Sequence, residues 1–178
     1  MTTNVFVREA KAADAEAVTE IYAHHVLNGT ASFDTVPRTA AESREKIVAC
    51  MKRGWPFLVA ELDGAVVGYA YATQFRDRPA YASTCENSIY LRQDYVGKGI
   101  GKLLLSALMV AATRSGFRQM IGVAGGGEPA SLALHKSLGF NEAGRMKAVG
   151  RKFGRWLDTV YLQKALGAGD SVGPQTEP

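Results

Sequence analysis

The chain has 178 residues, the size of a single domain with one hydrophobic core. Its formal charge of +4 comes from lysines and arginines scattered along the sequence, whereas proteins that bind duplex nucleic acid concentrate them, so we expect no nucleic-acid partner. Because no apolar run approaches the roughly 20 residues that span a bilayer, and because MTTNVFVREA lacks the apolar core of a signal peptide, we expect a cytoplasmic protein without a membrane partner.

The first half of the chain predicts strands, two helices and a hairpin. NVFVRE is typical of a short strand, and a helical stretch follows from about 14 to 27. Thr39 and Glu42 have the spacing of a capping box, which predicts a second helix ending near Arg53. Two apolar runs on either side of Asp63–Gly64 predict a hairpin, and STCENSIYLR predicts a further strand.

The second half predicts a long helix, a strand, a short helix and two last strands. The long helix ends at Gly116, and its apolar stripe consists of Ile100, Leu103, Leu104, Ala107, Leu108 and Ala111. FRQMIGVA is a strand candidate, EPASLALHKSLGF is a short helix ending at Gly139, and 140–163 forms two strands joined near Phe153–Gly154. The order β-α-α-β-β-β-α-β-α-β-β predicts one mixed α/β domain over 1–166, and we expect a disordered tail over 167–178.

The stretch VGKGIGK joins a predicted strand to the long helix and is rich in glycine. Gly97, Gly99 and Gly101 let backbone N–H groups approach an anion, and the start of the helix adds its own free N–H groups. A phosphate group is therefore the expected ligand. A Walker A loop would need one more residue and Ser or Thr after Lys102, where Leu103 stands. A dinucleotide-binding loop needs a different glycine spacing near the first strand.

The glycines Gly99 and Gly101 at the start of a long helix, with LHKSLGF about 30 residues later, resemble the acetyl-coenzyme A loop of the GNAT N-acetyltransferases. This resemblance implies the GNAT fold, a mixed and mostly antiparallel sheet of about seven strands flanked by four helices and splayed in its middle. It implies acetyl-CoA as co-substrate, bound by Ile89, Tyr90, Leu91, Val96, Gly97, Lys98, Gly99, Ile100, Gly101 and Lys102. Val96 stands where the family has Gln or Arg and contributes only its main chain, and Glu128 stands where Asn is common.

Four further blocks are similar to the phosphinothricin and methionine sulfoximine acetyltransferase branch of this family. They are IYAHHVLNGTASFDT, the pair FRDRPAY and CENSIYL, LHKSLGF, and GRKFGRWLDTVYLQ, and they cover nearly the whole chain except the tail. The resemblance implies transfer of an acetyl group to the α-amine of a small amino acid or analogue, by direct attack in a ternary complex. It also implies a homodimer with the acceptor pocket near the subunit interface.

Glu86 is the candidate general base, because an amine must lose a proton before it can attack a thioester. By strand alternation it shares a face with Thr84, Ser88 and Tyr90, and burial would raise the pKa of its carboxyl. The spacing alone leaves open a solvent-facing Glu on an edge strand. The family resemblance favours the general base.

Four other residues are candidates for binding the acceptor. Arg76 and Arg78 lie two apart, so on an extended chain they point the same way, with Tyr81 close by, and two guanidiniums can bind carboxylate or phosphinate oxygens. A charged loop tip is the alternative. Phe33 resembles the family residue that lines the acceptor pocket, and a core Phe is its alternative.

His135 occupies the position where many GNAT members have a Tyr that donates to the departing thiolate, so a general-acid role is a hypothesis beside a purely structural one. Cys85 faces away from Glu86 in the strand and is interpreted as a core residue. Neither the cysteines nor the histidines have metal-ligand spacing, and no metal is expected.

Two other functions stay open at this stage. One is acetylation of a different amine, such as an antibiotic, a polyamine or a protein N-terminus, and the other is a sensor that binds acyl-CoA without turnover. Arg76 and Arg78 argue against a cationic acceptor, and Glu86 argues against a sensor, although Val96 and Glu128 are compatible with one.

Overall fold

The computed structural model describes residues 5–177, and its elements follow the predicted order. Asn4, where the predicted first strand begins, and Pro178, the end of the predicted tail, lie outside the described residues. The elements are β1 (Phe6–Glu9), α1 (Ala15–Asn28), α2 (Ala40–Lys52), β2 (Phe57–Leu62), β3 (Ala65–Gln74), β4 (Thr84–Leu91), α3 (Ile100–Arg114), β5 (Gln119–Gly125), α4 (Pro129–Ser137), β6 (Asn141–Lys152) and β7 (Arg155–Ala165).

Two local signals in the sequence form as predicted. Thr39 Oγ1 accepts from the Glu42 N–H (3.2 Å), and Glu42 Oε2 accepts from the Thr39 N–H (2.7 Å), which completes the capping box of α2. Asp63 and Gly64 have φ values of 50° and 81°, as the two-residue turn between β2 and β3 requires.

The strands form one seven-stranded sheet in the order β1-β2-β3-β4-β5-β7-β6. Neighbouring strands are antiparallel except β4 and β5, which are parallel, so the predicted mixed and mostly antiparallel sheet is confirmed. The parallel pairing joins Thr84–Asn87 to Gln119–Gly122 and ends there. Beyond it, 88–91 pairs only with β3 and 123–125 pairs only with β7. The sheet is therefore splayed in its middle, as predicted.

Each face of the sheet has its own core. Helices α1 and α2 cover the face that carries Tyr69 and Tyr71, and α3 packs on the face that carries Cys85 and Met120. None of the described helices is both long enough and apolar enough to span a membrane.

The buried face of α3 is rotated relative to the predicted stripe, of which Ala107 and Ala111 are only half-buried. Leu103 was expected inside but is 45% exposed, whereas Leu105 is fully buried. The reason is that apolar residues surround much of this helix, and the neighbouring strands select the line through Leu104, Leu108 and Ala112.

After β7, residues 167–177 follow a series of turns without helix or strand. Gly167 and Gly169 adopt left-handed backbone (both φ 55°), and Arg118 Nη2 donates to the Gly173 carbonyl at 3.4 Å. The disorder and the domain boundary predicted for this stretch stay predictions.

Candidate active site

The direction of the β4 backbone groups determines which of them reach the gap in the sheet. Backbone groups of successive β4 residues point alternately to β3 and to β5. Two hydrogen bonds at the ends of the β3–β4 ladder show which residues face β3: Phe75 N–H donates to Thr84 O (3.0 Å), and Arg92 N–H donates to Val67 O (2.9 Å). Even-numbered residues of β4 therefore direct their N–H and C=O groups to β3. Odd-numbered residues point toward β5 and, beyond the last β4–β5 pair, into the gap.

Of the three β4 residues predicted to bind the cofactor, two offer N–H groups to this gap. These are Ile89 and Leu91. Tyr90 does not, because its backbone pairs with Tyr69, and its ring packs on the α1 side with the Tyr22 ring centroid 5.2 Å away. The alternation places the contribution of Tyr90 in the core rather than in the gap.

The glycine loop lies beside the open end of β4. Gly97 and Gly99 adopt left-handed backbone (φ 79° and 81°), and no atom lies within 4 Å of where a Cβ would stand on either residue. Gly99 caps α3 without a side-chain hydrogen bond, so the first-turn N–H groups of 100–102 have no capping side chain. At Gly101 a Cβ would lie 3.4 Å from Leu134 and 3.5 Å from Leu91, so this buried glycine brings α3 close to α4 and β4.

The side chains of this loop differ in what they can contribute. Lys98 and Lys102 are exposed, and Lys98 Nζ lies 5.0 Å above the Tyr95 ring. Val96 is exposed, and Ile100 is buried in the α3 core, so both can contribute only main-chain groups. The loop therefore presents N–H donors and two ammonium groups to an anion.

Glu86 lies on β4 just before the gap, on the face covered by α1 and α2. It pairs with Thr73 across the ladder and is half-buried. Burial raises the pKa of its carboxyl above the ordinary value of 4.5, while the charges of Arg76 and Lys46 act in the opposite direction. A carboxylate with a raised pKa is suited to accept a proton near neutral pH.

The loop after β3 carries Arg76, Arg78 and Tyr81, and all three are exposed. The prediction that both arginines point the same way required an extended chain, but this loop is not extended. The Arg78 N–H donates to the Arg76 carbonyl at 2.8 Å, which makes a tight turn at Asp77. Gln74 Nε2 donates to the carbonyls of Arg76 and Arg78 (2.7 and 2.9 Å) and holds this turn. Arg76 lies near enough to act on Glu86, so the structure links this loop to the candidate base through that residue.

Phe33 belongs to the α1–α2 connection and borders the same face of the sheet as Glu86. Its ring fits against Gly125 of β5 and Gly150 of β6, and a Cβ on Gly125 would lie 2.9 Å from Phe33 Cε1. Lys152 Nζ donates to the carbonyls of Gly29 and Ser32 (2.9 and 2.8 Å) and anchors the connection. The Phe33 ring stays 39% exposed, so it is not a core residue.

The surroundings of His135 differ from those that a general acid needs. It is 2% exposed, Nδ1 donates to the Ser131 carbonyl (2.8 Å), and Nε2 lies 3.1 Å from Asn87 Oδ1. Asn87 Nδ2 in turn donates to the Ile121 carbonyl (3.1 Å), and the ring covers Gly122. Burial lowers the pKa of the imidazole, which favours the neutral ring, and the one proton of that ring is donated to the Ser131 carbonyl, so these contacts favour a structural role.

Two residues at the gap were not predicted from the sequence. His25 Nε2 donates to the Leu91 carbonyl at 2.7 Å, and the side chain of Asn87 bridges β4 to β5 as described. The adjacent histidines His24 and His25 in a predicted helix are the sequence signal that could have identified His25. No local sequence signal identifies Asn87. Cys85 is fully buried as predicted, and burial raises the pKa of its thiol to about 12.

Within 5–177, no three His, Cys, Asp or Glu side chains are grouped so that they could hold a metal ion. The model of the acetyltransferase (GNAT) domain family matches residues 7–161. The chain belongs to the GNAT acetyltransferase family. The predicted family and fold are thereby confirmed.

Three GNAT proteins are similar to this chain in sequence or in structure. A phosphinothricin N-acetyltransferase of Alcaligenes faecalis is 47% identical over 95% of this chain and 86% of its own length. An L-methionine sulfoximine/L-methionine sulfone acetyltransferase of Pseudomonas paraeruginosa is 39% identical over 90% of this chain and 94% of its own. The crystal structure of a phosphinothricin acetyltransferase from Sinorhizobium meliloti with acetyl-CoA superimposes with a TM-score of 0.94, at 49% identity, over 96% of this chain and 93% of the other.

The buried contacts of His135 predict a stability effect. We expect His135→Ala to lower the free energy of unfolding by about 2–4 kcal/mol, because it opens a buried cavity and removes the hydrogen bond that the ring donates to the Ser131 carbonyl. Urea denaturation followed by circular dichroism measures this loss. Lys136→Ala on the exposed side of α4 is the control and should change stability by less than about 0.5 kcal/mol. A His135→Ala protein of unchanged stability that has lost turnover would instead support the general-acid role.

Proposed function

We propose that this GNAT protein transfers the acetyl group of acetyl-CoA to the α-amine of a small amino acid or analogue of the phosphinothricin, methionine sulfoximine or methionine sulfone type. The observation that carries the proposal is the juxtaposition of the splayed strands, with free N–H groups at Ile89 and Leu91, and the half-buried carboxylate of Glu86 at the same point of β4. The names of the similar proteins support the acceptor class.

The donor set on this chain fits acetyl-CoA. The gap offers the N–H groups of Ile89 and Leu91 to amide or acetyl carbonyls, and the loop 96–102 offers N–H groups and two ammonium groups to the pyrophosphate. Glycines at 97 and 99 leave the approach open, because no atom lies within 4 Å of either absent Cβ. Acetyl-CoA supplies the acetyl group when bound.

Glu86 prepares the acceptor for reaction in this proposal. A free α-amine is mostly protonated near pH 7, and the carboxylate of Glu86 accepts one of its protons, directly or through a water molecule. The neutral amine then attacks the acetyl carbonyl directly in the ternary complex, and N–H groups of the splayed β4 segment polarise that carbonyl. The new bond is the amide C–N bond, the C–S bond of the thioester breaks, and coenzyme A leaves as a thiolate that takes up the second proton lost by the amine.

The acceptor lies on the α1–α2 side of the gap in this proposal. Arg76 and Arg78 bind its anionic groups, with Tyr81 on the same loop, and Phe33 forms the wall opposite. Two arginines disfavour a polyamine or another cationic acceptor, since like charges repel.

The substrate class is tested by measuring thiol release from acetyl-CoA over a panel of amines. We expect turnover with phosphinothricin, methionine sulfoximine or methionine sulfone and little with polyamines or aminoglycosides, because Arg76 and Arg78 select anionic acceptors. Tight acetyl-CoA binding in calorimetry with no turnover of any amine would support the sensor function instead. Turnover confined to peptides would favour a protein N-terminus as acceptor.

The pH profile tests the role of Glu86. Since burial raises its pKa above 4.5, and since the protonated carboxyl cannot accept a proton, kcat/KM should fall as the pH drops through that raised value. We expect Glu86→Gln to lower kcat/KM by about 100-fold or more at pH 7.5 and to abolish this acid limb. Glu45→Gln, exposed on α2, is the control. Full activity of Glu86→Gln across the pH range would show that another group is the base.

We further propose that the protein is a homodimer that associates through the β6–β7 hairpin. β6 is an edge strand, and an exposed apolar group lies along the hairpin: Met146, Val149, Phe153 and Trp156. Trp156 is 63% exposed, and apolar side chains clustered at a sheet edge are typical of a surface that another chain covers. Lys152, whose Nζ lies 5.1 Å from the centroid of the Phe153 ring, also anchors the connection that carries Phe33, and this links the surface to the proposed acceptor pocket.

Sedimentation velocity at micromolar concentration tests the dimer. We expect the wild type to sediment as a dimer and Val149→Glu/Trp156→Glu to sediment as a monomer, because two buried charges oppose association. Val110→Glu, on the exposed side of α3, should leave the dimer intact. A monomeric wild type, or a charge variant that stays dimeric, contradicts this interface.

We also propose that the protein works in the cytoplasm. Both cysteines, Cys50 and Cys85, are buried free thiols, as in a reducing compartment, and the proposed co-substrate is an intracellular metabolite.

A further inference from the structure

Lys46, on α2, lies above the face of the sheet that carries Glu86. Its Nζ is 5.0 Å from the centroid of the Tyr71 ring. Tyr71 pairs with Ser88 across the β3–β4 ladder, and Glu86 is the next residue of β4 on the same face. Diagonal neighbours on one face of a sheet are about 7–8 Å apart. The ammonium group of Lys46 therefore lies over a residue that is the diagonal neighbour of the proposed base.

The charge of Lys46 has no acidic partner in the described part of the chain. Among residues 5–177, no carboxylate oxygen lies within 4.0 Å of its Nζ. Arg38, a second cation on this side, differs in that its Nη2 lies 3.7 Å from Asp34 Oδ2 and its guanidinium stacks 4.3 Å above the Tyr22 ring. Lys46 is thus a half-buried cation held by an aromatic ring and available to an anion.

Two cations from different elements lie close enough to Glu86 to act on its carboxyl. Arg76 comes from the loop after β3 and Lys46 from α2, and both charges act on the Glu86 carboxyl. An amino acid whose amine lies at Glu86 has its α-carboxylate next to that amine and its side chain extending away. Cations on two different elements can therefore bind two anionic groups of one acceptor, the arginines of the loop after β3 at one group and Lys46 at the other.

We propose that Lys46 binds an anion at the end of the acceptor side chain, so that the enzyme prefers an amino acid with a second anionic group over one that ends in a neutral polar group. Phosphinothricin, with a phosphinate, is of the first kind, and methionine sulfone is of the second. This proposal rests on the proposed function, and it assigns to Lys46 the choice between two acceptors within that class.

The experiment compares kcat/KM of the wild type and Lys46→Met for phosphinothricin and methionine sulfone at saturating acetyl-CoA. We expect the variant to lose about 10- to 100-fold with phosphinothricin, chiefly as a higher KM, because a charge-assisted contact to a non-reacting group is lost. The loss with methionine sulfone should stay below about threefold. Lys46→Arg should keep most of the preference, and Lys52→Met, exposed at the end of α2, should match the wild type.

A second readout is the acid limb of kcat/KM with methionine sulfone. The charge of Lys46 lowers the pKa of the Glu86 carboxyl, so Lys46→Met should move this limb to higher pH. Equal losses with both acceptors, no loss with either, or an unmoved acid limb in a folded variant overturns the role of Lys46 alone. A wild type that acetylates neither acceptor overturns the proposed function and this proposal together.

Discussion

The separation of β4 from β5 after Asn87 and Gly122 is the constraint on which the rest of the site depends. A strand in the middle of a sheet normally satisfies its N–H groups on both sides, and leaving one unpaired costs about 1–3 kcal/mol if water is excluded. The separation leaves Ile89 and Leu91 with N–H groups that no neighbouring strand satisfies. In the proposed function, a ligand with a row of carbonyl acceptors satisfies them.

Contacts on both faces of the sheet act at the point where β4 and β5 separate. On the α4 face, Asn87 ties β4 to the Ile121 carbonyl at the last paired position, and His135 fills the space above Gly122, where a Cβ would lie 2.7 Å from the ring. On the α1 face, His25 donates to the Leu91 carbonyl, an acceptor that β5 would otherwise use. The first contact fixes where the pairing stops, and the second keeps it from extending.

Sequence signals predicted what is decided locally, and failed where distant residues decide. The hairpin at Asp63–Gly64 and the capping box of α2 follow from backbone preferences of a few residues, so both were predicted correctly. The exposure of Leu103 depends on which strands α3 meets, and the turn at Asp77 depends on the Gln74 amide. The general-acid role of His135 stays a hypothesis, and the contact of its ring with Asn87, which lies on another element, could not be predicted from the segment around His135.

The electrostatics of the acceptor side link binding to basicity. Burial raises the pKa of the Glu86 carboxyl, while Arg76 and Lys46 lower it, so the free protein keeps this carboxyl between two opposing effects. An acceptor that places its anions on these cations cancels much of their effect on Glu86, and it also displaces water from the carboxylate. Both changes act to raise the pKa of Glu86, and the positive charge of the α-ammonium group opposes them until its proton is transferred. In the proposed reaction the base is therefore stronger with an acceptor that carries anionic groups than with an amine that lacks them.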